Sequence, residues 1–164
     1  MKTRYRKSVI FETKSNEKIE KREQLINEEI QKLQNLGLKV VAVESKSYSV
    51  ATMALPVAII TSIVFEMEST QYDKYMIGKL EPVTKKEKET ANAPTRFIKQ
   101  VAVRLADKDM AESDNTINEV INKMAAAGVR TIHFDNNVFG VTQVLSPKWM
   151  ITDILYEAEK PVDF

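Results

Sequence analysis

His133 and Asp135 stand two residues apart in a segment of alternating polarity, where an imidazole and a carboxylate share one face of a strand with Thr131. Such a pair suits general-base chemistry, with the carboxylate orienting the ring. Few other groups could take part. His133 is the only histidine and there is no cysteine, which excludes thiolate nucleophiles, disulfides and multi-histidine metal sites. No serine sits in a Gly-x-Ser-x-Gly elbow. Gly37, Gly78, Gly128 and Gly140 are the only glycines, and they form neither a phosphate-cradling loop nor a dinucleotide fingerprint. Asp107, Asp109, Glu112 and Asp114 lack the spacing of a calcium loop and suit the start of a helix. The expectation is a protein that is not an enzyme and holds no metal or cofactor.

Binding chemistry has more to draw on. Asn136, Asn137 and Phe139 follow His133 and Asp135, with Arg130 and Trp149 as neighbours on the same hairpin. Amide, aromatic and guanidinium groups together suit a planar, nucleotide-like ligand. Arg130, His133, Asp135, Asn136, Asn137, Phe139 and Trp149 are therefore the candidate ligand-binding residues.

These residues sit in the second copy of an internal repeat. Shifting the chain by 91 positions lays residues 26–68 on 117–159 without a gap, with 13 identities in 43 positions. Ile26, Asn27, Glu28, Ile30 and Lys32 fall on Ile117, Asn118, Glu119, Ile121 and Lys123. Gly37, Val50, Pro56, Ile60, Thr61, Ile63, Glu66 and Glu68 fall on Gly128, Val141, Pro147, Ile151, Thr152, Ile154, Glu157 and Glu159. Coincident helical periodicity would not reproduce both the glycine and the proline.

Each copy reads strand, helix, strand, strand. Ile19, Ile26, Ile30 and Leu33 make one helical stripe, and Ile117, Val120, Ile121 and Met124 the other. Gly37 and Gly128 stand where a left-handed residue ends a helix, predicting helices over about 16–36 and 114–127. Strands are predicted over 8–13, 38–45, 60–68, 100–105, 129–136 and 151–159, by period-two alternation. Strict alternation puts Val41 and Val43 on one face, and Val40, Ala42 and Glu44 on the other. The fold class is α+β: tandem duplicated β-α-β-β units, mainly antiparallel, each helix on one sheet face, related by a pseudo-twofold axis. The units span 1–68 and 97–164, joined by a solvated connector over 69–96. A continuous six-stranded sheet is favoured over a face-to-face pair.

Between the last two strands of the first copy runs an uninterrupted apolar segment, and Met53, Leu55, Val57 and Ile59 are assigned to an oligomer interface. A homodimer or higher homo-oligomer follows, twofold contacts being the commonest.

Composition narrows the partners. Lys plus Arg number 24 and Asp plus Glu 23, a net charge of +1, which opposes phosphate-driven binding of nucleic acid. A hydrophobic share of 43% suffices for a packed core. Lys2, Arg4, Arg6 and Lys7 resemble the basic start of a signal peptide, but the apolar run after them is too short. The longest apolar run is 50–60, short of the roughly 20 residues that span a bilayer. A cytoplasmic protein without membrane contact is expected.

The element order and the Lys-, Ile-, Asn- and Glu-rich usage resemble small proteins of Gram-positive bacteria and their phages. The expectation is a non-catalytic binding or scaffold protein that self-associates. A phage or mobile-element accessory role, sequestering a nucleotide-like ligand or blocking a host protein, is its specific form. The alternatives are a sheet-surface single-stranded nucleic-acid binder using Lys2, Arg4, Arg6, Lys7 and the connector lysines Lys79, Lys85, Lys86 and Lys88, with Tyr5, Tyr48 or Phe139 stacking, and a small enzyme built on His133 and Asp135.

Overall fold

The computed structural model describes residues 1–13, 20–49, 57–91, 94–104, 110–140 and 148–163. In chain order they form β1 (Lys2–Thr13), α1 (Glu20–Asn35), β2 (Lys39–Ser49) and β3 (Val57–Glu68). A 3-10 turn (Ser69–Gln71) and two short helices follow, α2 (Tyr72–Met76) and α3 (Lys85–Ala91). The second half is β4 (Arg96–Arg104), α4 (Met110–Ala126), β5 (Arg130–Gly140) and β6 (Lys148–Glu157). The fold is α+β with two separate three-stranded antiparallel sheets. Sheet A has the order β1-β3-β2 and sheet B the order β4-β6-β5. The continuous six-stranded sheet favoured from the sequence is not formed.

Both long helices stop in the same way. Gly37 takes φ 76° and Gly128 φ 72°. The Leu38 and Gly37 amides donate to the Leu33 and Gln34 carbonyls at 3.1 and 3.0 Å, and Val129 and Gly128 repeat the pattern on Met124 and Ala125. These are Schellman closures, which satisfy carbonyls that a helix end leaves bare. Between the halves, residues expected to be a solvated linker form α3 instead. Thr84 and Glu87 make a reciprocal capping box, the Thr84 amide donating to Glu87 Oε2 at 2.7 Å and the Glu87 amide to Thr84 Oγ1 at 3.3 Å.

The period-two reading fails at one residue in each half. The ladder slips between Val40 and Ala42, and between Thr131 and His133. A bulge admits an extra residue, so the chain on its two sides no longer alternates in phase. Val40 and Val43 consequently both enter the core, and Val40 is not on the face away from the helix. By the same slip Thr131 pairs with Tyr156 and His133 with Leu155, so His133 shares a face with Asp135 but not with Thr131.

Ile26, Ile30 and Leu33 of α1 pack on Val40, Val43, Ile63, Phe65 and Met67 of sheet A, joined by Ile98 and Leu155 of sheet B. Ile117 and Met124 of α4 pack on the opposite face of sheet B, with Phe97, Val101, Ile154 and Tyr156. Sheet B is therefore covered on both faces, and β6 is buried without a break from Met150 to Tyr156. Among the described residues sheet A is covered on one face only; Arg4, Arg6, Ser8 and Ile10 of β1 lie exposed on the other.

The two halves meet through unlike surfaces. The helix-bearing side of the first half lies on the helix-free face of sheet B. Edge strands β2 and β5 run close together, and α1 lies along the outer edge of β4. There a polar stripe of the helix replaces a neighbouring strand. Asn27 both donates to the Ile98 carbonyl (3.0 Å) and accepts from its amide (2.8 Å). Gln34 does the same for Arg96, at 3.0 and 2.7 Å, Gln31 adds a bond to the Arg96 carbonyl, and Glu23 accepts from the Gln100 amide at 2.7 Å. A sheet edge left bare is a template for unwanted pairing, and here side-chain amides occupy it.

Candidate functional site: the polar seam between the sheets

At the centre of the seam lies Arg22, fully buried on α1. An arginine so placed needs its donors matched, because an unpaired buried charge is costly, and all but Nε find a partner among the described residues. Its Nη1 donates to Asp153 Oδ1 at 2.8 Å and to Gln100 Oε1 at 2.7 Å. Its Nη2 donates to Asp153 Oδ2 (2.6 Å), Ser45 Oγ (2.7 Å) and Thr61 Oγ1 (2.9 Å). The planar fork meets the carboxylate with two parallel bonds, a geometry lysine cannot reproduce. Ser45 Oγ also donates to Asp153 Oδ2 at 3.0 Å. One guanidinium thus ties α1, β2 and β3 of the first half to β4 and β6 of the second.

Asp135 extends the network to β5. It lies opposite Asp153 across the ladder and accepts the Ser45 amide on Oδ2 at 2.6 Å. Burial raises its pKa above the ordinary 3.8; the Ser45 amide opposes the rise and the charge of Asp153 adds to it. Further along, Ser47 Oγ donates to Asn137 Oδ1 at 2.9 Å. At the other end Arg96 is gripped by Glu157 Oε1, at 2.6 Å from Nη2 and 3.1 Å from Nε, while its Nη1 donates to the Val40 carbonyl. Arg130 reaches Glu157 Oε2 at 3.6 Å with its side chain largely in solvent.

The strand register brings four of the candidate binding residues, Arg130, His133, Asp135 and Asn137, onto one face of sheet B. That face is turned toward the first half, where Asp135 and Asn137 are engaged by Ser45 and Ser47. Asn136 falls on the opposite face and accepts from Thr152 Oγ1 at 2.7 Å. Phe139 and Trp149 are register partners in the backbone, and their side chains lie outside the described residues. Met53 and Leu55 lie outside the described residues too, as does the side chain of Val57, while Ile59 is packed within the chain. Tyr5, a candidate for stacking on bases, is stacked on Tyr72 with ring centroids 4.8 Å apart. Among the described residues there is no cluster of metal-ligating groups, and no helix is long and apolar enough to cross a membrane.

Arg22 and Asp153 escaped the sequence reading. Arg22 stands in a helix crowded with charges, where one more looks solvent-facing. Asp153 did carry a signal: it is the single charge in the apolar run from Met150 to Tyr156, a position that calls for a buried cation.

No protein-family model, curated protein or solved structure matches the chain.

Proposed function

We propose that the chain is a non-catalytic binding or scaffold protein that works by associating with further copies of itself. Its halves are taken to descend from one duplicated β-α-β-β unit. The shared strand order, the two Schellman glycines and the two bulges, all 91 positions apart, support that origin. They are joined through unlike faces, an arrangement a twofold axis between them would not produce.

The observation that carries the proposal is where polar and apolar groups are spent. Arg22, Asp153, Asp135 and Asn137, the groups best suited to act on a ligand, hold the halves to each other. Meanwhile Ile10, Phe134 and Val138 are left 57%, 45% and 54% exposed on strands, where large apolar side chains gain by being covered. Native mass spectrometry of the purified protein tests this. Species larger than the monomer are expected, and any nucleotide-like ligand carried along would appear in the same spectrum. A monomer at every concentration defeats the proposal.

A further inference from the structure

We propose that copies of this chain join head to tail: the α4 and β5 side of one seats on the helix-free face and β1 edge of sheet A of the next. This rests on the self-association proposed above and adds which surfaces meet.

The seam inside the chain is the template. Of each pair of mating surfaces, it uses the helix side of the first half and the sheet face of the second. The counterparts of both surfaces are left over. Along α1, Glu23, Asn27 and Gln31 dress the β4 edge. Ninety-one positions on, α4 presents Asp114, Asn118 and Asn122, the same carboxylate-amide-amide series, and all three are exposed. Residues Arg96, Ile98 and Gln100 of the dressed edge correspond by register to Arg4, Arg6 and Ser8 of β1, the outer strand of sheet A.

The ion pairs correspond too. Arg96 lies opposite Glu157 and Arg4 opposite Glu66. The covered arginine side chain is 9% exposed, whereas Arg4, 3.5 Å from its glutamate, is 70% exposed. Arg96 donates to a carbonyl of the half seated on it, and Arg4 stands ready to do the same for an incoming β5. Three exposed apolar strand residues, Ile10, Phe134 and Val138, fall on the leftover surfaces. Phe134 is the counterpart of Val43, which is buried, and Ile10 lies on the free face of sheet A. Charge favours the match, with Asp114 on the seating face of α4 meeting a β1 that carries Lys2, Arg4 and Arg6. Because the two surfaces differ, association does not end at a pair; it closes as a ring or extends.

Two exposed substitutions test this, Asn118→Arg on α4 and Ile10→Arg on β1, with circular dichroism checking that each variant folds. Analytical ultracentrifugation is run at about 100 µM, roughly a hundredfold above a 1 µM dissociation constant. The wild type is expected to exceed a dimer and each variant alone to be a monomer. A one-to-one mixture of the variants, holding one intact surface of each kind, is expected to stop at a dimer. Variants that assemble as the wild type does, or a mixture that remains monomeric, overturn the head-to-tail geometry while leaving self-association standing. A monomeric wild type overturns both.

Discussion

Replacing Arg22 by methionine keeps most of the side chain's bulk and removes the charge at the centre of the seam. Five hydrogen bonds disappear with the guanidinium. Asp153 stays behind, buried, with Ser45 Oγ at 3.0 Å as its remaining partner among those that faced Arg22. Stranding one half of a buried ion pair costs about 3–5 kcal/mol. Total stabilities of domains are about 5–15 kcal/mol, so a large share is lost. For a chain of this size, about 2–4 °C of melting temperature per kcal/mol gives a fall of roughly 6–20 °C. Thermal unfolding followed by circular dichroism, with urea midpoints as a cross-check, reads the effect. A loss under about 1 kcal/mol, the worth of an exposed ion pair, refutes the buried assignment. The double variant Arg22→Met/Asp153→Leu separates charge from packing. With no charge left stranded, it should recover most of the loss, and failure to recover would shift the cause to the shape of the cavity.

Asn27→Ala removes both bonds to Ile98 and should cost about 1–3 kcal/mol, with hydrogen exchange at the Ile98 amide accelerating ahead of the rest of β4. An unchanged Ile98 exchange rate would mean that the helix does not guard that edge. Gly37→Ala should destabilise more than Gly128→Ala. Both positions are left-handed, a strain of about 1–2 kcal/mol, but only at Gly37 would the new methyl meet Val83 Cγ1, at 2.7 Å. Equal urea midpoints for the two variants would contradict this. Asp135 binds its proton more tightly in the folded chain than in the unfolded one. Its stabilising contribution is therefore complete below the ordinary value of 3.8 and is lost as pH rises through the elevated folded one. Asp135→Asn should flatten that fall in a plot of stability against pH, and parallel plots for variant and wild type would refute the assignment.

The elements were largely legible because their signals are local. The stripe of Ile26, Ile30 and Leu33 and the stop at Gly37 need no knowledge of the rest of the chain. The helix α3 was missed although the Thr84–Glu87 capping box is a local signal, because its polarity made the segment read as a linker. The bulges were hidden. An inserted residue leaves Val40, Val41, Ala42 and Val43 looking like ordinary alternation, and only the pairing with β3 shows which of them is extra. The seam was hidden for a further reason. The partners of Arg22 lie 23 to 131 residues away on four strands, and nothing near Arg22 announces them. The shared strand face of His133 and Asp135 was read correctly, whereas its burial against the other half depends on how the sheets pack.

The cover that α1 gives to β4 has a consequence for synthesis. A ribosome delivers about 5–20 residues per second, N-terminus first. The helix ends at Asn35 and the strand it covers begins at Arg96. Several seconds of translation separate them, so the helix segment is made well before β4 emerges. The groups that cover the strand's border are thus present in the nascent chain from the moment that border appears, ahead of any neighbouring polysome's product.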